Sequence, residues 1–264
     1  YGVGHTANFR ANEARSELAF RSLNGNGTHL ADVCASFARS RIFRFAAERL
    51  ALGHSGLEPN AALQQNAGNL ANVLLALAAN PARFADYLQF VREILPIVQA
   101  ITVRASPNGG GFLEVMVWQH PLASQRDDLA FPLSRCGTGV GQVLAIVLAA
   151  VQTQDPQILL IDEPNSFLHP GASRALISVL KRFPKHQYII ATHAPEIIAE
   201  AGPCPVIRVE WAEGAAKCQR FSARTLDVDR ALLQCVGARL SDVFGYDPEA
   251  QTVNLAALRL GAFR

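Results

Sequence analysis

From Asn69 to Pro96 the apolar residues of NLANVLLALAANPARFADYLQFVREILP recur three and four apart. Leu70, Val73, Leu74 and Leu77 fall on one stripe, and Phe84, Leu88, Val91 and Leu95 on a second. That is the period of an amphipathic α-helix. Asn80 as a cap with Pro81 in the following turn divides the stretch into two helices, so the pattern predicts a helical hairpin. IVQAITVR and FLEVMVWQ, on either side of a turn containing Gly109, Gly110 and Gly111, predict an antiparallel β-hairpin. Further on, ILLI and YIIA (188–191) are short unbroken apolar runs that predict buried strands. Between them Ala172, Ala175, Leu176, Val179, Leu180 and Phe183 are spaced as one helix face. Strand, helix and strand in that order predict a βαβ unit with parallel strands and a right-handed crossover.

The N-terminal part is less regular. Residues 1–30, rich in Gly, Asn and Ser, are read as loops with one short helix. From Ala31 to Leu52 apolar residues alternate with Arg39, Arg41, Arg44 and Arg49 at helical spacing, predicting a basic amphipathic helix. These four arginines, with Arg83 and Arg92 of the helical hairpin, are expected to form a surface that contacts nucleic acid or an effector protein.

Composition narrows the class. With 50% hydrophobic and 17% charged residues over 264 positions, the chain has the balance of a globular protein with a substantial core. A net charge of +2 is too small for bulk attraction to nucleic acid, so any such contact must be local. Only Lys181, Lys185 and Lys217 are lysines among the 24 basic residues. Five cysteines without a CxxC pair or a signal peptide fit reduced thiols in the cytosol. The longest apolar stretch, 143–151, is too short to span a bilayer, and a cytoplasmic location without membrane attachment is expected.

The chemistry concentrates at the strand ends. In an open parallel sheet, ligands sit beyond the carboxyl ends of the strands. Asp162 and Glu163 end the first strand of the βαβ unit, and Thr192 and His193 end the second, so all four are expected in one crevice. A carboxylate there can hold Mg²⁺ through its water shell, and a neighbouring Glu can orient water toward a terminal phosphate. A His on the adjacent strand can hydrogen-bond that phosphate. Upstream, LSRCGTGVGQVLAIVLAAVQ sets Ser134, Gly137, Gly139 and Gly141 before an apolar helix expected to start near Gln142. Glycines at a helix N-terminus let backbone N–H groups approach an anion closely.

The order of this Ser/Gly-rich segment, LLIDEPNSFLHP and IIATHAPEII resembles the second half of an ABC-type ATPase. The likeness is to the bacterial AAA-family group that includes the OLD-like defence ATPases. It extends over roughly residues 40–247 and takes in NAGNLANVLLAL and VGARLSDVFG. The resemblance implies an α/β fold with an ABC-ATPase-like nucleotide-binding domain, a parallel-sheet core and a lobe made of the helical and β-hairpins. It implies that Ser134, Gly137, Thr138, Gly139 and Gln142 form the signature motif and bind nucleotide, and that Asp162 is the Walker B metal ligand. By the same resemblance Glu163 is the catalytic glutamate, His193 the switch histidine, and Asn165–Pro170 the D-loop. ATP and Mg²⁺ are the implied cofactors, and a homodimer or higher oligomer sandwiching ATP is the implied assembly. The expected divisions are 1–60, the remainder of the ATP-binding lobe; 61–132, the hairpin lobe; 133–211, the βαβ core; and 212–264, a C-terminal hairpin with helices.

Two features depart from that pattern. The Walker A loop GxxxxGK[ST] does not occur in these residues: LNGNGT at 23–28 lacks its spacing, and no Lys precedes Lys181. The expectation is that the sequence starts after that loop or lacks segments of it, rather than that ATP binding has been lost. The last residues, YDPEAQTVNLAALRLGAFR, carry no Toprim glutamate motif, although LDVDR at 226–230 has the DxD spacing of a nuclease metal site. The leading expectation is an ATPase that gates a DNA contact or an effector nuclease or toxin, in bacterial anti-phage defence. A non-hydrolysing sensor or scaffold module and a metal-dependent nuclease are the alternatives.

Overall fold

The structure is a computed structural model that describes residues 7–11, 18–22, 36, 40–46, 54–56, 62–107, 111–122, 126–202, 204–221, 226–238, 246–247 and 252–253. The central element is a parallel sheet of β3 (Ile42–Phe45), β8 (Ile158–Asp162) and β9 (Gln187–Ala191), in the order β3-β8-β9. The expected βαβ unit is present: α4 (Pro170–Leu180) joins β8 to β9. His169 caps α4, its Nδ1 accepting from Gly171 N at 3.1 Å, and Pro170 takes the first helical position, where a missing N–H costs nothing. Phe183 lies beyond the end of α4 and packs on the core from the following turn.

Against this sheet runs α3 (Thr138–Val151), buried on every side from Gly141 to Ala150. A helix apolar all round has to be enclosed, and α2 (Pro81–Ile94), α4 and β3 enclose it. The helical hairpin is α1 (Leu70–Ala78) followed by α2. Asn80 caps α2 as expected, its Oδ1 accepting from Arg83 N at 3.2 Å. The stripe Leu70, Val73, Leu74 and Leu77 is buried, but the centre of α2 is Tyr87, fully enclosed, with its hydroxyl donating to Leu144 O at 3.1 Å. The expected β-hairpin is β5 (Ala100–Ala105) and β6 (Phe112–Trp118). It belongs to a larger antiparallel sheet in which β6 also pairs with β4 (His54–Gly56) and β7 (Ala130–Pro132), and α1 lies on that sheet.

Several expectations are corrected. The basic helix expected over 31–52 stops short: Ser36, Ser40 and Arg41 are helical, but IFRF (42–45) is β3, which places Phe43 and Phe45 into the core and pairs in parallel with β8, so there tertiary pairing overrides the helical spacing. Where the first 30 residues are described they form the antiparallel pair β1 (Ala7–Ala11) and β2 (Leu18–Ser22), and the remainder of the expected loops and short helix lies outside the described residues. ILLI and YIIA are not buried on both faces. Leu159 and Ile161 face the helices, whereas Ile189 is 62% exposed, because among the described residues helices cover one face of the sheet and β9 is an edge strand. After β9 come α5 (Pro195–Ala201), the hairpin β10 (Val206–Ala212) and β11 (Ala215–Phe221), α6 (Leu226–Cys235), and the two-residue pair β12 (Tyr246–Asp247) and β13 (Thr252–Val253). Most of VGARLSDVFG lies outside the described residues. LDVDR, which carries the DxD spacing, lies at the start of helix α6.

Of the arginines expected to form a contact surface, Arg44, Arg83 and Arg92 are exposed. Arg83 donates to Gln152 O at 2.7 Å, Arg92 Nε to Gln99 O at 2.9 Å, and Arg41 pairs with Asp155 at 3.0 Å and donates to Pro156 O at 3.1 Å. These guanidiniums satisfy carbonyls at helix ends and turns, which is the physical reason the sequence places Arg there. Arg44 is exposed on the open face of the sheet, and the side chains of Arg39 and Arg49 lie outside the described residues.

Candidate functional site

The crevice at the carboxyl end of the sheet follows from its register. Asp162 is paired with Ala191, and one residue later Glu163 N donates to Ala191 O at 2.8 Å, which extends the β8–β9 ladder past the end of the strand. Glu163 has a φ of 46°, a left-handed conformation uncommon for a residue with a side chain. The turn it makes brings its carboxylate back over the end of β9, where Oε1 lies 2.7 Å from His193 Nδ1. Thr192 holds the arrangement from the other side. Its hydroxyl donates to Asn165 Oδ1 at 3.1 Å, lies 3.5 Å from Glu163 Oε2, and accepts from Ala194 N at 3.0 Å.

The structure therefore brings Asp162, Glu163, Thr192 and His193 together, as the strand-end argument expects. Asp162 is exposed, Glu163 is about one-quarter exposed, and the His193 side chain is 78% exposed. A carboxylate held against an imidazole at hydrogen-bond distance can orient a water molecule or accept its proton, and the open imidazole face can meet a ligand. Among the described residues no group of three or more His, Cys, Asp or Glu side chains is gathered around one point. A lone exposed carboxylate such as Asp162 suits a cation that keeps most of its own waters.

The second part is the N-terminus of α3. The helix begins at Thr138, four residues earlier than the sequence pattern suggests, because Gly137 is an extended N-cap residue and Gly139 and Gly141 are accommodated inside the helix. No side chain caps it. Ser134 lies exposed in a 3₁₀ turn over Leu133–Arg135, and Gln142 is buried with no hydrogen-bond partner for its Nε2. Among the described residues no hydrogen bond joins Ser134–Gln142 to Asp162, Glu163 or His193. What does join the two parts is a steric contact that sequence reasoning missed. A Cβ placed on Gly139 would lie 2.8 Å from Phe167 O and 2.8 Å from Leu168 Cδ2.

Fold and crevice together define an α/β domain with a parallel-sheet core whose acidic strand end faces a neighbouring histidine. Residues 21–199 match the family described as "AAA domain, putative AbiEii toxin, Type IV TA system", and the chain belongs to that AAA-domain family. A curated protein of Streptomyces avermitilis, "Putative ABC transporter ATP-binding protein", is 40% identical over 62 residues, 23% of this chain. The match spans 11% of the length of that relative. Among solved structures, an SMC ATPase studied for ATP-driven dimerization and DNA-stimulated activation aligns with a TM-score of 0.46 and 15% identity, over 62% of this chain and 97% of that one. The Smc head domain of Pyrococcus yayanosii, with its coiled coil and joint, aligns with a TM-score of 0.45 and 15% identity, over 66% of this chain and 32% of that one. No helix among the described residues is long and apolar enough to cross a membrane.

Proposed function

We propose that this chain is the hydrolytic part of an ATPase of the OLD-like, ABC-type group, in which two copies sandwich ATP and its turnover gates an effector nuclease, a toxin or a DNA contact in bacterial anti-phage defence. The observation that carries the reading is the 2.7 Å contact between Glu163 and His193 beside Asp162, at the carboxyl end of a parallel sheet. Asp162 would hold Mg²⁺ through water, and the bound ion would offset charge on the β- and γ-phosphates. Glu163 orients the attacking water and accepts its proton. His193 holds Glu163 in place through Nδ1 and leaves the other side of its ring for the terminal phosphate. Thr192 and Asn165 keep the loop in register.

The signature residues Ser134, Gly137, Thr138, Gly139 and Gln142 suit an anion on chemical grounds. The α3 N-terminus has backbone N–H groups without a capping side chain, and Gln142 offers a buried donor that lacks a partner. In the proposed sandwich they act on ATP held by the second copy. Substituting Glu163→Gln in the full-length protein keeps the shape and removes the base. Turnover should then fall by about 10²-fold or more, with ATP binding retained. Undiminished hydrolysis would exclude Glu163 from this role, and a wild-type protein that binds ATP without hydrolysing it would favour the sensor or scaffold reading.

A further inference from the structure

The loop that follows Glu163 is tightly wound. Ser166 N donates to Glu163 O and Leu168 N to Asn165 O, each at 2.9 Å. Two of its residues, Glu163 at φ 46° and Phe167 at φ 63°, are left-handed. Left-handed backbone at residues with side chains persists only where surrounding contacts hold it. At the Glu163 end those contacts are Ala191 O, Thr192 and His193. At the Phe167 end the side chain is 64% exposed, so core packing of the ring does not hold the backbone.

The Phe167 backbone rests instead on the first turn of α3. A Cβ on Gly139 would meet Phe167 O at 2.8 Å and Phe167 C at 3.2 Å. Real Cβ atoms do not approach this closely, and a carbonyl in a hydrogen-bonded turn cannot swing away as a side-chain tip can. Gly137, two residues earlier, meets nothing within 4 Å. Of these two glycines, only Gly139 makes the close approach.

We propose that Gly139 is a positioning residue for Glu163: by letting the α3 N-terminus sit directly on the Phe167 carbonyl, it sets the conformation of the 163–168 loop and carries displacements of that helix end to the Glu163–His193 pair. An anion drawn toward the α3 N-terminus would move the turn, and the loop would follow because no side chain intervenes. This rests on the ATPase reading for its kinetic consequence and on the geometry alone for its structural one.

The experiment uses the full-length protein with Gly139→Ala, and with Gly137→Ala as a steric control whose extended backbone suits alanine. Alanine is the better helix former, so a loss in Gly139→Ala does not come from weakening α3. Hydrogen exchange at the Ser166 and Leu168 amides should quicken about tenfold in Gly139→Ala and stay unchanged in Gly137→Ala. In ATP hydrolysis, Gly139→Ala should lower kcat by about 10- to 100-fold with KM within about twofold, the signature of a misplaced group rather than a lost binding contact. Adding Phe167→Gly, which frees the left-handed backbone, should recover part of the loss, whereas adding Leu168→Ala should not. If Gly139→Ala alone does not fold, the double variant with Phe167→Gly should fold, and its failure would count against the proposal.

Equal exchange in the two alanine variants overturns the proposal. So does a rise in KM alone, or rescue by Leu168→Ala, which would assign the effect to side-chain packing. An inactive wild-type protein with the exchange difference intact supports the contact and overturns the ATPase reading.

Discussion

Stability should depend on pH through His186, at a seam far from the crevice. The side chain is 5% exposed where β8, β9 and the end of α3 meet. Its Nδ1 accepts from Gln157 N at 3.1 Å, and its Nε2 lies 2.9 Å from Ala150 O. A backbone N–H can only donate and a carbonyl can only accept, so the ring is neutral and carries its proton on Nε2. Protonating Nδ1 sets one N–H against another. Burial is the main cause that holds the imidazole below its ordinary 6.5; the Ala150 carbonyl opposes this and the Lys185 charge reinforces it. Because the folded-state value is depressed, the stabilisation is fully present above the unfolded value. It is lost as pH falls from 6.5 toward the folded value, at about 1.4 kcal/mol per pH unit.

His186→Leu removes the titration and strands both backbone partners, at about 1–3 kcal/mol for each unsatisfied group. Urea unfolding of both proteins from pH 8 to pH 5 should therefore show a difference of about 2–6 kcal/mol at pH 8 that shrinks below pH 6.5. The other histidines are common to both proteins and cancel in the comparison. A difference that stays constant across the range would refute the assignment of His186 as a buried neutral clamp.

Further outcomes follow from the same geometry. Mixing a Ser134→Arg subunit with a Glu163→Gln subunit should restore one working site if the signature acts across a two-copy sandwich; ATPase assays of the mixture that recover nothing would favour action within one chain. Arg83→Ala and Arg92→Ala should each lower stability by about 0.5–1.5 kcal/mol in thermal unfolding. Tyr87→Phe should cost about 1 kcal/mol by loss of the bond to Leu144 O, read by urea unfolding. In the wild type, burial keeps that phenol protonated far above the usual tyrosine range, so absorbance titration should show it silent until the chain unfolds.

The parts of the fold that could be read from the chain are those in which local pattern and tertiary demand agree. Leu70, Val73, Leu74 and Leu77 repeat at helical spacing and are buried on one face of α1. Asn80 and Pro81 mark the start of α2 because a cap oxygen and a residue without an N–H both suit a helix N-terminus. The pairing of Glu163 with His193 was foreseeable in outline, since parallel strands of one βαβ unit end side by side. The reading failed where a partner distant in sequence decided the outcome. Arg41 and Arg44 have the spacing of a basic helix, and Arg41 is helical, yet pairing with β8 makes 42–45 a strand. Arg83 and Arg92 are exposed, as a contact surface requires, but each also holds a carbonyl, at Gln152 and Gln99, that the sequence pattern did not indicate.

By itself the sequence determined which polar residues stand at the strand ends, because Asp162, Glu163 and His193 follow apolar runs of strand length. It also determined the βαβ order, through periodicities that are local properties of the chain. Only the tertiary structure decided that Glu163 turns left-handed to reach His193, that Thr192 and Asn165 tie the loop, and that Gly139 lies against the Phe167 carbonyl. Those outcomes depend on how two strands and a helix pack in three dimensions, and no spacing of residue types along one dimension encodes an approach so close that a Cβ at position 139 would lie 2.8 Å from Phe167 O.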